Sequence, residues 1–288
     1  MSAQEIPTTP FRDQKPGTAG LRKQVRVFQQ PGYLENFLQS TFDCVPGLKG
    51  SALVIGGDGR FHNRAAIATA ISMAAANGIS RIIVGQGGLL STPAASHLIR
   101  KRRAGGGLVL TASHNPAGPD GDFGIKFNVA GGGQASESLT DQIFERSLSI
   151  SRYLIDNSID IDIDRRGETP FDGGVVEVID GLEDYLRLLE ELFDFEAIKS
   201  WFQQGHRIRY DALHAVTGPY ARRILIDRLG APESDVVNAT PLEDFGGGHP
   251  DPNLIYAADL VSHMMGADAP DLGAASDGDG DRNMKIGR

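Results

Sequence analysis

The stretch LVLTASHNPAG, residues 108–118, shows how this chain builds a functional loop. Its first three residues form an apolar run that is typical of a buried strand, and polar residues follow at once. Gly118 and Pro119 then keep the chain in a turn, because glycine and proline mark turns and loops. Ser113 is therefore predicted to lie on a loop that leaves a buried strand, with its hydroxyl facing a cleft.

Strands and helices alternate before this stretch. The predicted elements are a strand at 52–55, a helix at 63–77, a strand at 81–84, a helix at 93–103 and the strand at 108–110. This alternation predicts an α/β fold in which a mixed, mostly parallel sheet is sandwiched by helices. Sites in such folds lie beyond the carboxyl ends of the strands, where Ser113 is expected to be.

A second α/β domain is predicted in the C-terminal half. The length of 288 residues allows two domains, and a leucine-rich helix beginning near Leu182 follows predicted edge strands at 153–180. We therefore expect two consecutive α/β domains, 1–181 and 182–288. The second has predicted strands at 208–213, 235–237 and 272–275, and predicted helices at 219–229 and 257–265.

Three familiar serine or phosphate motifs do not fit the loop around Ser113. The nucleophile elbow of esterases needs glycine two residues before and two after the serine, where this chain has Thr111 and Asn115. A β-lactamase-type serine needs lysine three residues on, where Pro116 stands, and no GxxxxGK[ST] loop occurs in the chain. Taken alone, the loop remains open to interpretation as a polar turn without chemistry.

The sequence DGDGDRN, residues 277–283, carries three carboxylates at alternate positions. Glycine spacers allow a tight arc, so that Asp277, Asp279 and Asp281 can present oxygen ligands to one Mg²⁺ or Ca²⁺. An EF-hand needs glycine and glutamate at its sixth and twelfth positions, which here are Arg282 and Arg288. The alternative is an acidic surface turn.

Another aspartate triplet has the same spacing but a different context. Asp160, Asp162 and Asp164 are interleaved with isoleucines, and β-branched spacers favour an extended strand. Side chains two apart on a strand are too widely separated for three carboxylates to meet on one ion. We interpret this triplet as the solvated face of a strand.

Two further segments carry basic residues that can bind phosphate or take part in proton transfer. In KPGTAGLRK, residues 15–23, the glycines expose backbone N–H groups, while Thr18 and Arg22 can bind phosphate. The alternative is a basic turn leading into a strand at 25–28. Lys126, on a predicted strand at 121–128, can act as an electrostatic partner or as a general acid or base, although an exposed strand lysine is the commoner case.

Composition narrows the range of partners and compartments. The formal net charge of −9 argues against nucleic acid or an anionic membrane as a partner. The single cysteine, Cys44, excludes an intramolecular disulfide and fits a reducing compartment. Without an evident signal sequence or an apolar run of about 18 residues, the protein is expected to be soluble and cytoplasmic.

Together these motifs resemble the α-D-phosphohexomutase family. The resemblance is carried by TASHNPAGPDGDFGIKFN at 111–128, DGDGDRN at 277–283 and KPGTAGLRK at 15–23. It extends to GGDGR at 56–60 and to PLEDFGGGHPDPNL at 241–254, which favours the glucose-phosphate branch.

The resemblance implies a mutase that acts on hexose phosphates through a phosphoserine and a glucose 1,6-bisphosphate intermediate. The implied metal site is Mg²⁺ on Asp277, Asp279, Asp281 and a phosphate oxygen on Ser113. The implied phosphate contacts are Arg22, Arg282 and Thr18. His114 and Lys126 are implied to take part in catalysis as orienting or proton-transferring groups.

The family has four domains, and its sugar-recognition loop and its loop for the non-transferring phosphate belong to the third and fourth. Domains III and IV would lie beyond Arg288, so we expect a truncated N-terminal portion with an incomplete second domain and weak or no turnover alone. Two alternatives stay open: a mannose-phosphate or dual-specificity mutase, and a non-catalytic scaffold that is phosphorylated or binds a metal.

Overall fold

The chain folds into two α/β units in a computed structural model that describes residues 3–17 and 19–287. The strands are β1 Gln4–Pro7, β2 Leu21–Gln24, β3 Ala52–Gly57, β4 Arg81–Leu89, β5 Gly106–Leu110, β6 Asp122–Val129, β7 Arg152–Ile155, β8 Gly167–Phe171, β9 Gly174–Ile179, β10 Ile208–Asp211, β11 Val236–Val237, β12 Leu272–Ser276 and β13 Asn283–Gly287. The helices are α1 Val25–Phe28, α2 Tyr33–Cys44, α3 Asn63–Ala76, α4 Thr92–Lys101, α5 Glu137–Ser147, α6 Glu183–Leu192, α7 Phe195–Gln203, α8 Thr217–Ala221 and α9 Ala258–Met264.

The first unit is built on a seven-stranded sheet with the order β2-β6-β5-β3-β4-β9-β8. The central strands β5, β3, β4 and β9 run parallel, while β6, β2 and β8 add antiparallel pairs at the margins. β1 and β7 form a separate antiparallel pair. The mixed sheet that the sequence predicted is therefore confirmed.

Both faces of the first sheet are covered because alternate residues of each central strand point to opposite sides. Leu53 and Ile55 of β3 join a core formed with α2 and α3. Val54, between them, packs with α4 on the other face. The second core also contains Val216 and Tyr220 from the C-terminal half, so the two units share apolar contacts.

The second unit has a four-stranded sheet with the order β11-β10-β12-β13. β11, β10 and β12 are parallel, and β13 runs antiparallel to β12. A π-helical stretch, Arg222–Arg228, continues α8. The predicted strand at 272–275 is β12, and the acidic loop that begins at Asp277 connects it to β13.

Apart from β9, which was expected at a sheet edge but lies between β4 and β8, two local predictions were wrong. The first concerns the strand expected at 25–28. Residues Val25–Phe28 form α1, because β2 stops pairing where β6 begins, at the pair Gln24 and Asp122. The helical turn then buries Val25 and Phe28 on the same side.

The second concerns the aspartate triplet at 160–164, which lies in an irregular segment ending in a turn and is not a strand. The carboxylate of Asp162 accepts a hydrogen bond from the N–H of Asp164, and Ile163 anchors the segment in the core. Its three aspartates are exposed, as expected. Helices α2 and α7 and strands β1, β2 and β13 were not predicted from the sequence. Within the described ranges, no helix has the length and apolar character needed to cross a membrane.

Candidate functional site

The serine loop and the acidic loop meet, although they are 164 residues apart in the chain. Ser113 follows β5 of the first sheet and Asp277 follows β12 of the second. The Ser113 hydroxyl donates a hydrogen bond to Asp277 Oδ2 at 2.7 Å. Ser113 is 1% exposed and Asp277 is fully buried, so this pair lies at the closed base of the site.

The backbone of Ser113 is held in the left-handed region, at φ +54°. This conformation is costly for a residue other than glycine and persists only where neighbours enforce it. The N–H of Ser113 donates to Thr111 Oγ1 at 2.8 Å, and that hydroxyl donates to Asp58 Oδ2 at 2.5 Å. On the other side, Arg60 Nη2 donates to the carbonyl oxygen of Ser113 at 2.7 Å.

Asp58 and Arg60 form a fully buried ion pair beneath this loop. Arg60 Nε lies 2.9 Å from Asp58 Oδ2, and both side chains have no solvent exposure. Burial raises the pKa of Asp58, while Arg60 and then Thr111 oppose that rise. Arg60 Nη1 also donates to the carbonyl oxygen of Asp122 at 2.9 Å. The pair thus ties the serine loop to the ends of β3 and β6.

The segment GGDGR at 56–60 carries part of the family resemblance, but the sequence alone indicated no role for Asp58 or Arg60. A usable signal was present, because this segment follows β3, which neighbours β5 in the sheet. Carboxyl ends of adjacent parallel strands lie at the same sheet edge. The segment after β3 and the serine loop after β5 must therefore lie close together.

Three carboxylates of the acidic loop converge. One oxygen from each of Asp277, Asp279 and Asp281 lies within 4.8 Å of the other two. Asp279 is fully buried, which excludes the simple acidic surface turn. Lys126 Nζ donates to Asp279 Oδ2 at 2.8 Å and lies 3.5 Å from Asp281 Oδ2.

The carboxylates differ in their proton affinity. Burial, followed by the negative charge of Asp279, raises the pKa of Asp277 to about 7. Burial alone would also raise the pKa of Asp279, but the charge and hydrogen bond of Lys126, together with hydrogen bonds from Thr92 and Asp277, hold that pKa below its ordinary value. Lys126 is 3% exposed, so the exposed strand lysine considered from the sequence is wrong.

The residues present fit a divalent cation. Asp279 Oδ1 is buried and has no hydrogen-bond partner among the described residues. A buried carboxylate oxygen without a donor is costly unless a cation or water satisfies it. Three converging carboxylates are the hard oxygen ligands that Mg²⁺ and Ca²⁺ bind.

Two arginines and a histidine lie close to the three carboxylates. Burial lowers the pKa of Arg22, and the nearby Arg60 and Arg282 act in the same direction against the opposing charge of Asp279. The Nε of Arg22 is buried without a partner in the described part of the chain. Arg282 Nη1 lies 2.8 Å from His114 Nδ1, and because arginine only donates, that nitrogen accepts.

His114 is therefore not the nearest proton acceptor for the serine. Its Nδ1 lies 3.4 Å from Ser113 Oγ, whereas Asp277 Oδ2 lies at 2.7 Å. Burial, and then the charge of Arg282, lowers the pKa of His114, so the ring favours its neutral form. Thr18 lies outside the described residues.

The geometry defines a class: an α/β protein in which a buried serine on one unit faces three converging carboxylates, suited to a divalent cation, on the next. The chain belongs to the phosphoglucomutase/phosphomannomutase family. The family's α/β/α domain I matches residues 13–153 and its α/β/α domain II matches residues 183–287.

Known relatives are similar along nearly the whole chain. A phosphoglucomutase of Rhizobium radiobacter is 58% identical over 98% of this chain and 52% of its own length. A chloroplastic phosphoglucomutase of Marchantia polymorpha is 54% identical, and a cytoplasmic one of Populus tremula is 50% identical, each over 98% of this chain. The chain spans about half the length of these relatives, namely 44% and 52% of the last two.

Solved structures agree with the fold. The open form of the Paramecium phosphoprotein parafusin, titled a phosphoglucomutase, superposes with a TM-score of 0.95 at 46% identity. The match covers 99% of this chain and 55% of that one. A Thermus thermophilus structure titled a putative phosphomannomutase is 24% identical, with a TM-score of 0.76, and shares the fold.

Proposed function

We propose that this chain is the serine- and metal-bearing half of a phosphoglucomutase, which interconverts glucose 1-phosphate and glucose 6-phosphate through a phosphoserine at Ser113. The observation that carries the proposal is the 2.7 Å contact between Ser113 Oγ and Asp277 Oδ2 beside the unpartnered Asp279 Oδ1. This contact places the proposed phosphoryl acceptor, Ser113, against a proposed cation ligand, Asp277. The choice of glucose over mannose rests on the relatives named phosphoglucomutase.

Ser113 is the nucleophile in this proposal. As its Oγ forms a bond to phosphorus of glucose 1,6-bisphosphate, the bond from phosphorus to the sugar oxygen breaks. The hydroxyl proton that Ser113 now donates to Asp277 leaves as the new bond forms. Lys126 is proposed to give a proton to the departing sugar oxygen and to take up the one released from Ser113. In the other half of the cycle, the phosphoserine gives its phosphoryl group to O6 of glucose 1-phosphate: the bond from phosphorus to Ser113 Oγ breaks, and the O6 proton passes to that Oγ. The bisphosphate so formed turns in the cleft and returns the phosphoryl group on C1 to Ser113, leaving glucose 6-phosphate.

Asp277, Asp279 and Asp281 would hold Mg²⁺, with a phosphate oxygen on Ser113 as a further ligand. Bound there, the ion would neutralise charge on the transferring phosphoryl group. The raised pKa of Asp277 reflects carboxylates crowded in a buried place, and like charges so arranged favour a cation between them.

The remaining site residues supply positive charge. Arg22 and Arg282 are proposed to bind the substrate phosphates, with Thr18 adding a hydroxyl, because a guanidinium can donate two parallel hydrogen bonds to a phosphate. Lys126 is proposed to stabilise the carboxylates and to exchange a proton with a sugar hydroxyl. His114 is proposed to orient Arg282 toward the phosphate, through their 2.8 Å contact.

The whole reaction is proposed to need the remaining half of the protein. The chain spans about half of its relatives, and contacts to non-reacting parts of a substrate supply much of the binding energy that lowers a barrier. We therefore expect phosphorylation of Ser113 with weak or no turnover by this chain alone. We place the domain boundary near Gly181, between β9 and α6, and the protein in the cytoplasm, as for the Populus relative.

Labelling with ³²P-glucose 1,6-bisphosphate and Mg²⁺ tests the proposal. The wild-type chain is expected to incorporate phosphate on a single serine peptide containing Ser113, and Ser113→Ala to incorporate none. Ser40→Ala is a matched control, because Ser40 is also fully buried but donates to the carbonyl oxygen of Asn36 within α2. Absence of label from wild type would favour the non-catalytic scaffold.

A further inference from the structure

Thr92 joins the first unit to the acidic loop of the second. It is the first residue of α4, and its hydroxyl donates to Asp279 Oδ2 at 2.6 Å across 187 positions of sequence. Its backbone N–H donates to the carbonyl oxygen of Asp279 at 2.9 Å. Thr92 of the first unit thus donates hydrogen bonds to both the side chain and the backbone of Asp279 in the second.

The two oxygens of Asp279 have different surroundings. Oδ2 accepts from both Thr92 and Lys126, at 2.6 and 2.8 Å. Oδ1 is buried and lacks a hydrogen-bond partner in residues 3–17 and 19–287. Because the two donors occupy one oxygen, they set the rotation of the carboxylate and leave the other oxygen available to a cation.

The backbone around this contact is closely packed. Gly280 has φ +76°, and a Cβ added there would lie 2.7 Å from Thr217 Cγ2 and 3.6 Å from Ser91 Cβ. The N–H of Ser91 in turn donates to the hydroxyl oxygen of Tyr220 at 3.3 Å. The chain before α4 therefore rests directly on the second unit, and Asp279 has little freedom to rotate away.

We propose that Thr92 is a positioning residue for the cation site, selecting the oxygen that Asp279 presents to the metal. The inference rests on the proposed function, since it assumes that the three aspartates bind a divalent ion. Hydrogen bonds to metal-ligating carboxylates fix their orientation, and losing one lowers metal affinity by about 10- to 100-fold. No notable sequence motif marks Thr92, whose role comes from its place at the junction of the two units.

Direct Mn²⁺ titration of the full chain, with free Mn²⁺ measured by electron paramagnetic resonance, tests the proposal without an activity assay. Mn²⁺ serves as the probe because it takes the oxygen ligands that suit Mg²⁺. Thr92→Val removes the hydroxyl and keeps the branched shape, and we expect about tenfold weaker binding than wild type. Thr92→Ser keeps the hydroxyl and is expected to restore most of the affinity.

Thr41→Val is the matched control. Thr41 is fully buried, and its hydroxyl donates to the carbonyl oxygen of Phe37 at 2.9 Å inside α2. We expect it to lose thermal stability in the presence of chelator, as Thr92→Val does, but to bind Mn²⁺ like wild type. Should Thr92→Val fail to fold, Thr92→Ala replaces it, since alanine is well tolerated in a helix.

The outcomes distinguish the positioning role of Thr92 from the existence of the metal site. If wild type binds Mn²⁺ and Thr92→Val binds it equally well, the positioning role is wrong and the metal site stands. If wild type itself does not bind Mn²⁺, the proposed metal site fails and the inference fails with it. If Thr92→Ser is as weak as Thr92→Val, the hydroxyl is not the responsible group, which also overturns the proposal.

Discussion

Replacing Arg60 with methionine should destabilise the chain severely, because it leaves a carboxylate buried without its counter-charge. Arg60 and Asp58 both have no solvent exposure, and their charged atoms lie 2.9 Å apart. Methionine keeps much of the length of the arginine stem but none of its donors. The variant therefore removes the ion pair and the hydrogen bonds to the serine loop while retaining apolar volume.

The size of the effect follows from the ion pair and the hydrogen bonds that Arg60 makes. Removing one partner of a buried ion pair costs about 3–5 kcal/mol. The carbonyl oxygens of Ser113 and Asp122 would also be without their guanidinium donors, at roughly 1 kcal/mol each where water does not replace them. We expect the free energy of unfolding to fall by about 4 kcal/mol or more, a large share of the roughly 5–15 kcal/mol typical of folded proteins.

Urea unfolding followed by far-ultraviolet circular dichroism measures this loss. Dichroism is preferable to fluorescence because the single tryptophan, Trp201, lies in α7 of the second unit. The loss should be smaller at about pH 5 than at about pH 8. Burial already raises the pKa of Asp58, and without Arg60 that pKa rises further, so the folded variant takes up a proton as pH falls and is stabilised relative to its unfolded state.

A double variant, Asp58→Leu with Arg60→Met, provides the control. Because it leaves no uncompensated charge, it should recover part of the stability lost by Arg60→Met alone. A single variant within about 1 kcal/mol of wild type at about pH 8 would refute the reasoning. So would a loss that is independent of pH, since that would show that Asp58 is not the group left unpaired.

Two further predictions concern a close backbone contact and a half-buried histidine. Gly57→Ala places a Cβ against the carbonyl oxygen of Leu110 on the neighbouring strand, so we expect a loss of about 2 kcal/mol in urea unfolding. His62 is half-buried against Phe123, and burial lowers its pKa. Its ring should therefore titrate below the ordinary value of about 6.5 in an NMR pH series, and stability should fall as pH drops below that value.

Each of these two predictions has a control variant. Gly131→Ala adds the same methyl group where no heavy atom lies within 4 Å, and it should be close to neutral; equal losses for both glycines would rule out the steric explanation. His62→Gln removes the titrating ring, so its stability should fall less than that of wild type as pH drops. An unshifted His62 resonance would contradict the assigned effect of burial.

Local sequence was sufficient for features that depend on periodicity or on glycine. The apolar spacing at 63–77 predicted α3, observed at Asn63–Ala76, because one helix face must meet the core whatever it packs against. The apolar run at 108–110 predicted the strand that ends before Ser113. The glycine spacers predicted the tight arc at Asp277 to Asp281. The meeting of these two loops followed from the resemblance to a known family.

Other features were decided only by tertiary structure. Val25–Phe28 carries β-branched residues typical of a strand, but forms α1 because β6 begins at Asp122. The N–H of Val25 still donates to the carbonyl oxygen of Gly121, and the chain then turns into the helix. An exposed strand residue was the commoner expectation for Lys126, yet its ammonium group is buried against Asp279. In each case the deciding contact comes from a residue far away in the chain.

The sequence by itself therefore determined the α/β elements and the two polar loops, since those depend on residues within a few positions of one another. Tertiary structure decided which groups support the loops: Asp58 and Arg60 beneath Ser113, and Thr92 beside Asp279. These residues belong to strand ends and a helix start that become neighbours only when the sheets form. Their orientation depends on burial and hydrogen bonding across the fold, which no local pattern encodes.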